Sequence, residues 1–407
     1  MKNHIAIYIS NNDDKLLLIE RIISGSTFKE LTNLKYALFS EITLNKFIEE
    51  EMIHGQFDVQ TDTKNSLLHS SEGERKKALL HHIISQNPDY IITDNVFGNL
   101  DVEKQAAIEK TLTTLSNKTL IVQITNRKEE ILPFINKVYT VEGHALVPFN
   151  KQVAKDINTP IRFVEALPKP YRPIADNINP LIKFNKVSVA YQDRPILNAI
   201  SWEIKRGEFW QLLGANGAGK STMLSMIYGD NPKAYGQDIT LFGVKKGSGE
   251  SVWDIKRKIG YFSSEMLRGF KRLDSIANMI VSGFFDSVGL YKEPTNEQIN
   301  ITEQWLHVLN MYPIRKQNFL ELSKGHQRLV LIARAMVKHP PLLILDEPTN
   351  GLDDFDVNLF TELINKIAKE TDTAILYVSH RKEAGLNPDF MYQLTPNPTG
   401  STGKQES

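Results

Sequence analysis

Along the chain, short continuous apolar runs alternate with stretches whose apolar positions recur every three to four residues. This is the pattern of an α/β protein with a largely parallel sheet. In the C-terminal half SWEI (201–204), FWQLL (209–213), LLILD (342–346) and AILYVS (374–379) predict strands, while 302–312 and 325–338 carry helical spacing. The N-terminal part has the same pattern in less chain. There IAIYIS (5–10), YIIT (90–93) and TLIVQIT (119–125) predict strands, and KLLLIERII (15–23) and ERKKALLHHII (74–84) predict helices. No run approaches the roughly 20 apolar residues that span a bilayer. IAIYIS is followed at once by Asn-Asn-Asp-Asp, unlike a signal peptide. The pattern predicts a soluble protein whose membrane role, if it has one, passes through a partner.

The two halves are copies. HSSEGERKKALLHHIISQNPDYIITDNVFGNLD and ELSKGHQRLVLIARAMVKHPPLLILDEPTNGLD pair Ser71 with Ser323, Gly73 with Gly325, Asp94 with Asp346 and Asp101 with Asp353, all at an offset of 252 residues. Between them Pro148, Pro160, Pro168, Pro170, Pro173 and Pro180 mark an extended linker. The organisation expected is one copy over 1–146, a linker over 147–180, a second copy over 181–396 and a disordered tail over 397–407.

Composition narrows the chemistry. In 407 residues, Lys plus Arg and Asp plus Glu each number 48, which argues against a general polyanion binder and against a specific nucleic-acid partner. There is no cysteine. That excludes a disulfide framework, a cysteine–zinc module, an iron–sulfur cluster and a thiol nucleophile, and is compatible with a reducing cytosol.

The second copy carries Gly214-Ala-Asn216-Gly217-Ala218-Gly219-Lys220-Ser221, matching G-x-x-x-x-G-K-[ST] between a strand and a helical run that begins with Ser221 and Thr222. Glycines let successive backbone N–H groups turn inward around a phosphate at the positive end of a helix. Lys220 is placed to neutralise the β- and γ-phosphates of a nucleotide, and Ser221 to ligate Mg²⁺; the loop alone leaves kinases, GTPases and ATPases open. LLILDEP puts Asp346 where it can hold Mg²⁺ through water, followed by Glu347 as a general base. LSKGHQ (322–327) opens the preceding helix, Asp353 closes NGLD, and His380 follows AILYVS.

This ordered set resembles the ATP-binding cassette ATPases, over about 181–396 and more weakly over 1–146. The resemblance implies an α/β fold of two phosphate-loop NTPase-like cassettes, ATP and Mg²⁺ as ligands, and a head-to-tail cassette dimer. In such a dimer each ATP lies between one phosphate loop and the opposite signature turn. It further implies that Tyr191 stacks on adenine and that His380 senses the γ-phosphate. Two departures stand out: Ser264, in IGYFSSE, occupies the position of the family's glutamine, and LSKGH replaces LSGGQ. The former puts coupling to a membrane subunit in doubt.

The first copy has lost its own site. IAIYIS-NNDDK puts Asp13 and Asp14 where a triphosphate would sit, each repelling it by roughly 1–4 kcal/mol at 4 Å. Lys15 lies near the lysine position, Asn95 replaces the base and Asn126 the switch histidine. Asparagine has no basic function at neutral pH. Two arrangements stay open: Ser71 and Gly73 complete the Lys220 site within one chain, or Ser323 and Gly325 complete it between two chains.

The resemblance implies the soluble energy-coupling subunit of a transporter, cytoplasmic or held at the inner membrane face by a permease. VSGFFDSVGLYKEP (281–294) and the one-chain tandem layout look similar to molybdate-transport-related or photorepair-type cassette ATPases. The alternatives are a non-transport cassette protein resembling translation factors and a regulatory ATPase.

Overall fold

The computed structural model describes residues 3–55, 57–61, 65–98, 100–143, 145–149, 163–171, 178–270, 273–287 and 289–406. By its contacts the chain divides into two units, one of Met1–Thr159 with Gly351–Phe355, the other of Pro160–Asn350 with Asp356–Ser407.

In the first unit β1 (Ile5–Tyr8), β2 (Tyr36–Phe39), β3 (Tyr90–Asp94), β4 (Leu120–Thr125), β5 (Lys137–Glu142) and β6 (Ala145–Pro148) form one sheet in the order β2-β3-β4-β1-β5-β6. Its pairs are parallel except β5–β6. Alternate side chains point to opposite faces of a strand. Accordingly Ala6, Ile91 and Ile121 enter one core with Leu79 and Leu112, while Ile7, Ile92 and Val122 enter another with Leu18 and Ile22. Both faces are covered, as a parallel sheet requires. The covering helices are α1 (Lys15–Ile23), α2 (Glu41–His54), α3 (Glu72–Ser85) and α4 (Val102–Ser116).

The second unit opens with the antiparallel pair β7 (Ile182–Tyr191) and β8 (Arg194–Ile204), part of a four-stranded sheet with β10 (Ile239–Leu241) and β11 (Val244–Lys245). Its central sheet contains β9 (Phe209–Gly214), β12 (Ile259–Ser263), β13 (Leu342–Asp346), β14 (Ala374–Ser379), β15 (Phe390–Thr395) and β16 (Thr402–Glu406), ordered β12-β13-β14-β9-β15-β16. Taken in turn these strands match the order of the first unit's sheet. The internal repeat is therefore a repeat of topology as well as of motif. Every residue of β9 and β14 is buried, which is why both read as unbroken apolar runs.

Around the central sheet lie α5 (Lys220–Ile227), α6 (Val252–Lys256), α7 (Ile276–Val281), α8 (Asn296–Val308), α9 (Lys324–Met336) and α10 (Asp354–Glu370). The predicted helix at 302–312 starts earlier, because Thr295 and Gln298 form a capping box at Asn296. That at 325–338 is α9. Residues 150–162 and 172–177 of the expected linker lie outside the described residues. Of its remainder, Pro148 ends β6, and Phe163 is buried.

The expected disordered tail is a correction. Thr402–Glu406 is an ordered edge strand, antiparallel to β15, and Ser401 is buried beside Leu197. The segment TGKQE lacks apolar alternation, so nothing in its own residues announces a strand. Backbone pairing to β15 and the Tyr392 ring supply the order. Tyr392 stacks on Trp202 at 4.7 Å and donates its hydroxyl to Ser201 O at 3.0 Å, so it has no room to move. Any Cβ on Gly403 would fall on that ring. Gly403→Val is expected to lower stability by about 1–3 kcal/mol in a denaturant melt through overpacking. Gln405→Val, on the same strand, is expected to change it little.

Candidate functional site

Strand register assembles the site. Asp346 of β13 lies opposite Val378 of β14, and Ser379 lies opposite Leu213 of β9. The residues just beyond these strand ends, Glu347 and His380, therefore emerge with Gly214 on one carboxyl edge, where open α/β sheets bind ligands. Gly219 caps α5 with a φ of 96°, a left-handed conformation that glycine adopts without strain. The turn directs Lys220 back under the loop, where its Nζ donates to Gly214 O at 2.6 Å and Ala215 O at 3.3 Å. The same Nζ is 3.8 Å from Glu347 Oε1, and Glu347 Oε2 is 3.0 Å from His380 Nδ1. A carboxylate only accepts, so the imidazole carries the proton at Nδ1 in this contact. Lysine, glutamate and histidine thus form one chain of polar contacts.

Asp346 is held differently. Burial pushes its carboxyl up to about 6, with the charge of Glu347 adding to the shift and Lys220 opposing it. The Tyr261 hydroxyl donates to Asp346 Oδ2 at 3.5 Å. Asp346 and the exposed Ser221 line the same cavity of about 740 Å³. A half-buried carboxylate with a hydroxyl nearby, both hard oxygen donors, fits a Mg²⁺ ion that keeps several waters and phosphate oxygens. The described residues contain no cluster of three or more acidic or histidine side chains that would hold a metal unaided.

The remaining predicted positions divide. Asn216 and Gly217 are exposed at the loop tip, Ala218 is buried beneath it, and Thr222 sits half-buried on α5. Ser264 begins a short 3-10 turn after β12. Tyr191 is 41% exposed at the end of β7, and its hydroxyl accepts from Asn231 Nδ2 at 2.9 Å. Ser323 caps α9, with its hydroxyl 2.7 Å from His326 Nδ1, and Gly325 is buried in the same first turn. Asp353 groups with the first unit, where its Oδ2 accepts the backbone N–H of Asn11 at 2.7 Å.

In the first unit the loop after β1 is capped by its own acids. Asp13 accepts from the Ser10 N–H at 2.6 Å, and Asp14 caps α1 through the Leu17 N–H at 3.0 Å. Each carboxylate thus takes up a backbone donor of the segment joining β1 to α1. Lys15 Nζ pairs with Asp94 at 3.1 Å. Burial raises the Asp94 carboxyl and Lys15 lowers it. Asn126 Nδ2 donates to Asn11 Oδ1 at 3.0 Å. Residues 351–355 occupy the edge between the loops after β1 and β4: Asn11 Nδ2 donates to Gly351 O at 3.3 Å, and Asp354 accepts from Tyr8 and the Lys128 N–H at 3.3 and 3.0 Å. Burial first, then Asp354 and Asp353, pushes the Tyr8 hydroxyl well above its usual range. Ser71 caps α3 in a capping box with Glu74, to whose carboxylate its hydroxyl donates at 2.7 Å, and Gly73 follows in the first turn.

Sequence reasoning missed two groups. Tyr261, beside Asp346, reads as an apolar strand residue. Arg328 reads as a surface charge, yet it is 4% exposed and donates to the carbonyls of Pro348 and Asn350. Its signal was spacing: Gly325, Arg328, Leu329 and Ile332 share the buried face of α9.

The raised carboxyl of Asp346 has a stability consequence. Above the folded value of about 6 the buried charge destabilises the unit in full, and below the ordinary value of 3.8 the penalty vanishes. Asp346→Asn is expected to raise the unfolding free energy at pH 7.5 by up to about 3 kcal/mol. The gain should shrink as pH falls from 6 to 4, as denaturant melts across that range would measure.

The family described as ABC transporter matches residues 197–350. The ABC transporter ATP-binding protein ModF of Escherichia coli is 38% identical over 81% of this chain and 70% of its own length. A Schizosaccharomyces pombe relative, the uncharacterized ABC transporter ATP-binding protein C323.04, is 28% identical over 78% of this chain and 66% of its own length. A solved complex of the archaeal ribosomal stalk protein aP1 and archaeal ribosome recycling factor aABCE1 aligns with a TM-score of 0.64 at 14% identity, covering 99% of this chain and 85% of that one, and shows likeness of fold. Similar to ModF at that identity over most of its length, the chain belongs to the ATP-binding cassette family and is an ATPase.

Proposed function

We propose that the second unit binds and hydrolyses Mg²⁺·ATP at the edge carrying Lys220, Asp346, Glu347 and His380, and that this turnover drives a membrane transport complex. The observation that supports the site is the polar chain Lys220–Glu347–His380 beside the half-buried Asp346, whose carboxyl is raised. Ser221 and Asp346 would hold Mg²⁺, which would supply neutralisation of charge on the phosphate oxygens. Lys220 orients the β- and γ-phosphates from under the loop. Glu347 accepts a proton from the attacking water, and His380, held by that carboxylate, marks the position of the terminal phosphate.

The first unit serves as a cassette without its own nucleotide. Its capped loop, the Lys15–Asp94 pair and Asn95 in place of the base support this role. The transport role draws on similarity to ATP-binding proteins of transporters. ModF and the zinc uptake system ATP-binding protein ZurA of Listeria innocua are examples, the latter 36% identical over 50% of this chain. No helix among the described residues is long and apolar enough to cross a membrane, so the proposed partner is a permease that supplies the spanning helices.

Glu347→Gln is expected to cut ATP turnover by about 10²–10⁴-fold while retaining nucleotide binding. Lys15→Ala is expected to leave nucleotide affinity unchanged. Ser71→Arg is expected to stop hydrolysis if one chain completes the site, and Ser323→Arg if two chains do. Membranes of the native host, captured with ATP-bound Glu347→Gln protein, are expected to yield a permease. Recovery of ribosomes, or of no partner, counts against the transport role.

A further inference from the structure

Glu347 has a φ of 45°, a left-handed conformation that costs a residue with a Cβ about 1–2 kcal/mol. Such conformers persist where the surroundings over-determine them. Here the Glu347 N–H donates to Val378 O at 2.9 Å, and the Asn350 N–H closes the turn onto Glu347 O at 3.4 Å. The other constraint is Arg328. From the buried face of α9, its two terminal nitrogens donate to Pro348 O and Asn350 O. A planar fork grips two carbonyls at a fixed mutual angle, which a flexible ammonium cannot do. Both gripped peptides lie within three residues of Glu347.

The first unit provides a comparison. At the repeat offset Lys76 stands for Arg328 and Asn95 for Glu347. Asn95 also has a positive φ, 47°, and Lys76 Nζ donates to Gly98 O at 2.6 Å while pairing with Glu72 at 3.2 Å. Asparagine tolerates the left-handed region well, so that turn has less strain for its contacts to hold. Where the turn must hold a glutamate, the fork is present.

We propose that Arg328 is a positioning residue for ATP hydrolysis, holding the Glu347 carboxylate in place through the backbone of residues 348–350. This rests on the reading of Glu347 as the base. Its action runs through the backbone of that turn. It also links the helix that opens with Ser323 to the turn that carries Glu347.

The test uses the full chain. Mg²⁺·ATP turnover is measured for the wild type, Arg328→Lys, Arg328→Met, Glu347→Gln and both Arg328 variants combined with Glu347→Gln. Affinity for a fluorescent ATP analogue and melting temperature are followed alongside. Arg328→Lys is expected to lower kcat about tenfold, with KM and analogue affinity within about twofold of wild type. Arg328→Met should lower kcat further. In the Glu347→Gln background neither variant should slow turnover again, because the group being positioned is gone. Should Arg328→Met fail to fold, Arg328→Lys alone and combined with Glu347→Gln decides the matter. Wild-type kcat in Arg328→Lys, equal slowing in both backgrounds, or affinity falling in step with kcat would each overturn the proposal. A wild type no faster than Glu347→Gln overturns the hydrolysis reading itself, and this proposal with it.

Discussion

The parallel register of β13, β14 and β9 is the constraint on which the second unit depends. It sets Asp346, Ser379 and Leu213 along one edge, so that three loops distant in sequence deliver Glu347, His380 and the phosphate loop together. A slip of one residue would turn the buried faces of these strands over and scatter the polar groups. Continuous burial of β9 and β14 resists such a slip, so the core and the site rest on the same contacts.

Much of this was legible because the relevant residues are constrained locally. A glycine-framed lysine after an apolar run, an Asp-Glu pair at a strand end and a histidine after the next strand each carry their context with them. The repeat was legible too, and the matching strand orders give it a three-dimensional meaning. What stayed hidden depends on distant partners. TGKQE becomes a strand only because β15 offers an unpaired edge. Arg328 becomes a buried clamp only because the turn after β13 presents two carbonyls to α9. Neither fact has a local signature stronger than spacing.

The two units also show one topology under different demands. In the second unit a half-buried carboxylate is raised by its surroundings, and a glutamate sits in a conformation it disfavours. In the first unit the corresponding acid, also raised by burial, is paired with a lysine, and the residue after it is an asparagine suited to the turn. The same two positions are thus met by different side-chain solutions on one topology.

The loop between β1 and α1 of the first unit is closed by its own acids. Asp13 and Asp14 accept from backbone N–H groups of that turn, and Lys15 is engaged by Asp94. Removing either acid would free one N–H while leaving the other cap and the Lys15–Asp94 pair in place. Single substitutions therefore change this loop only piecemeal, because its contacts hold independently of one another.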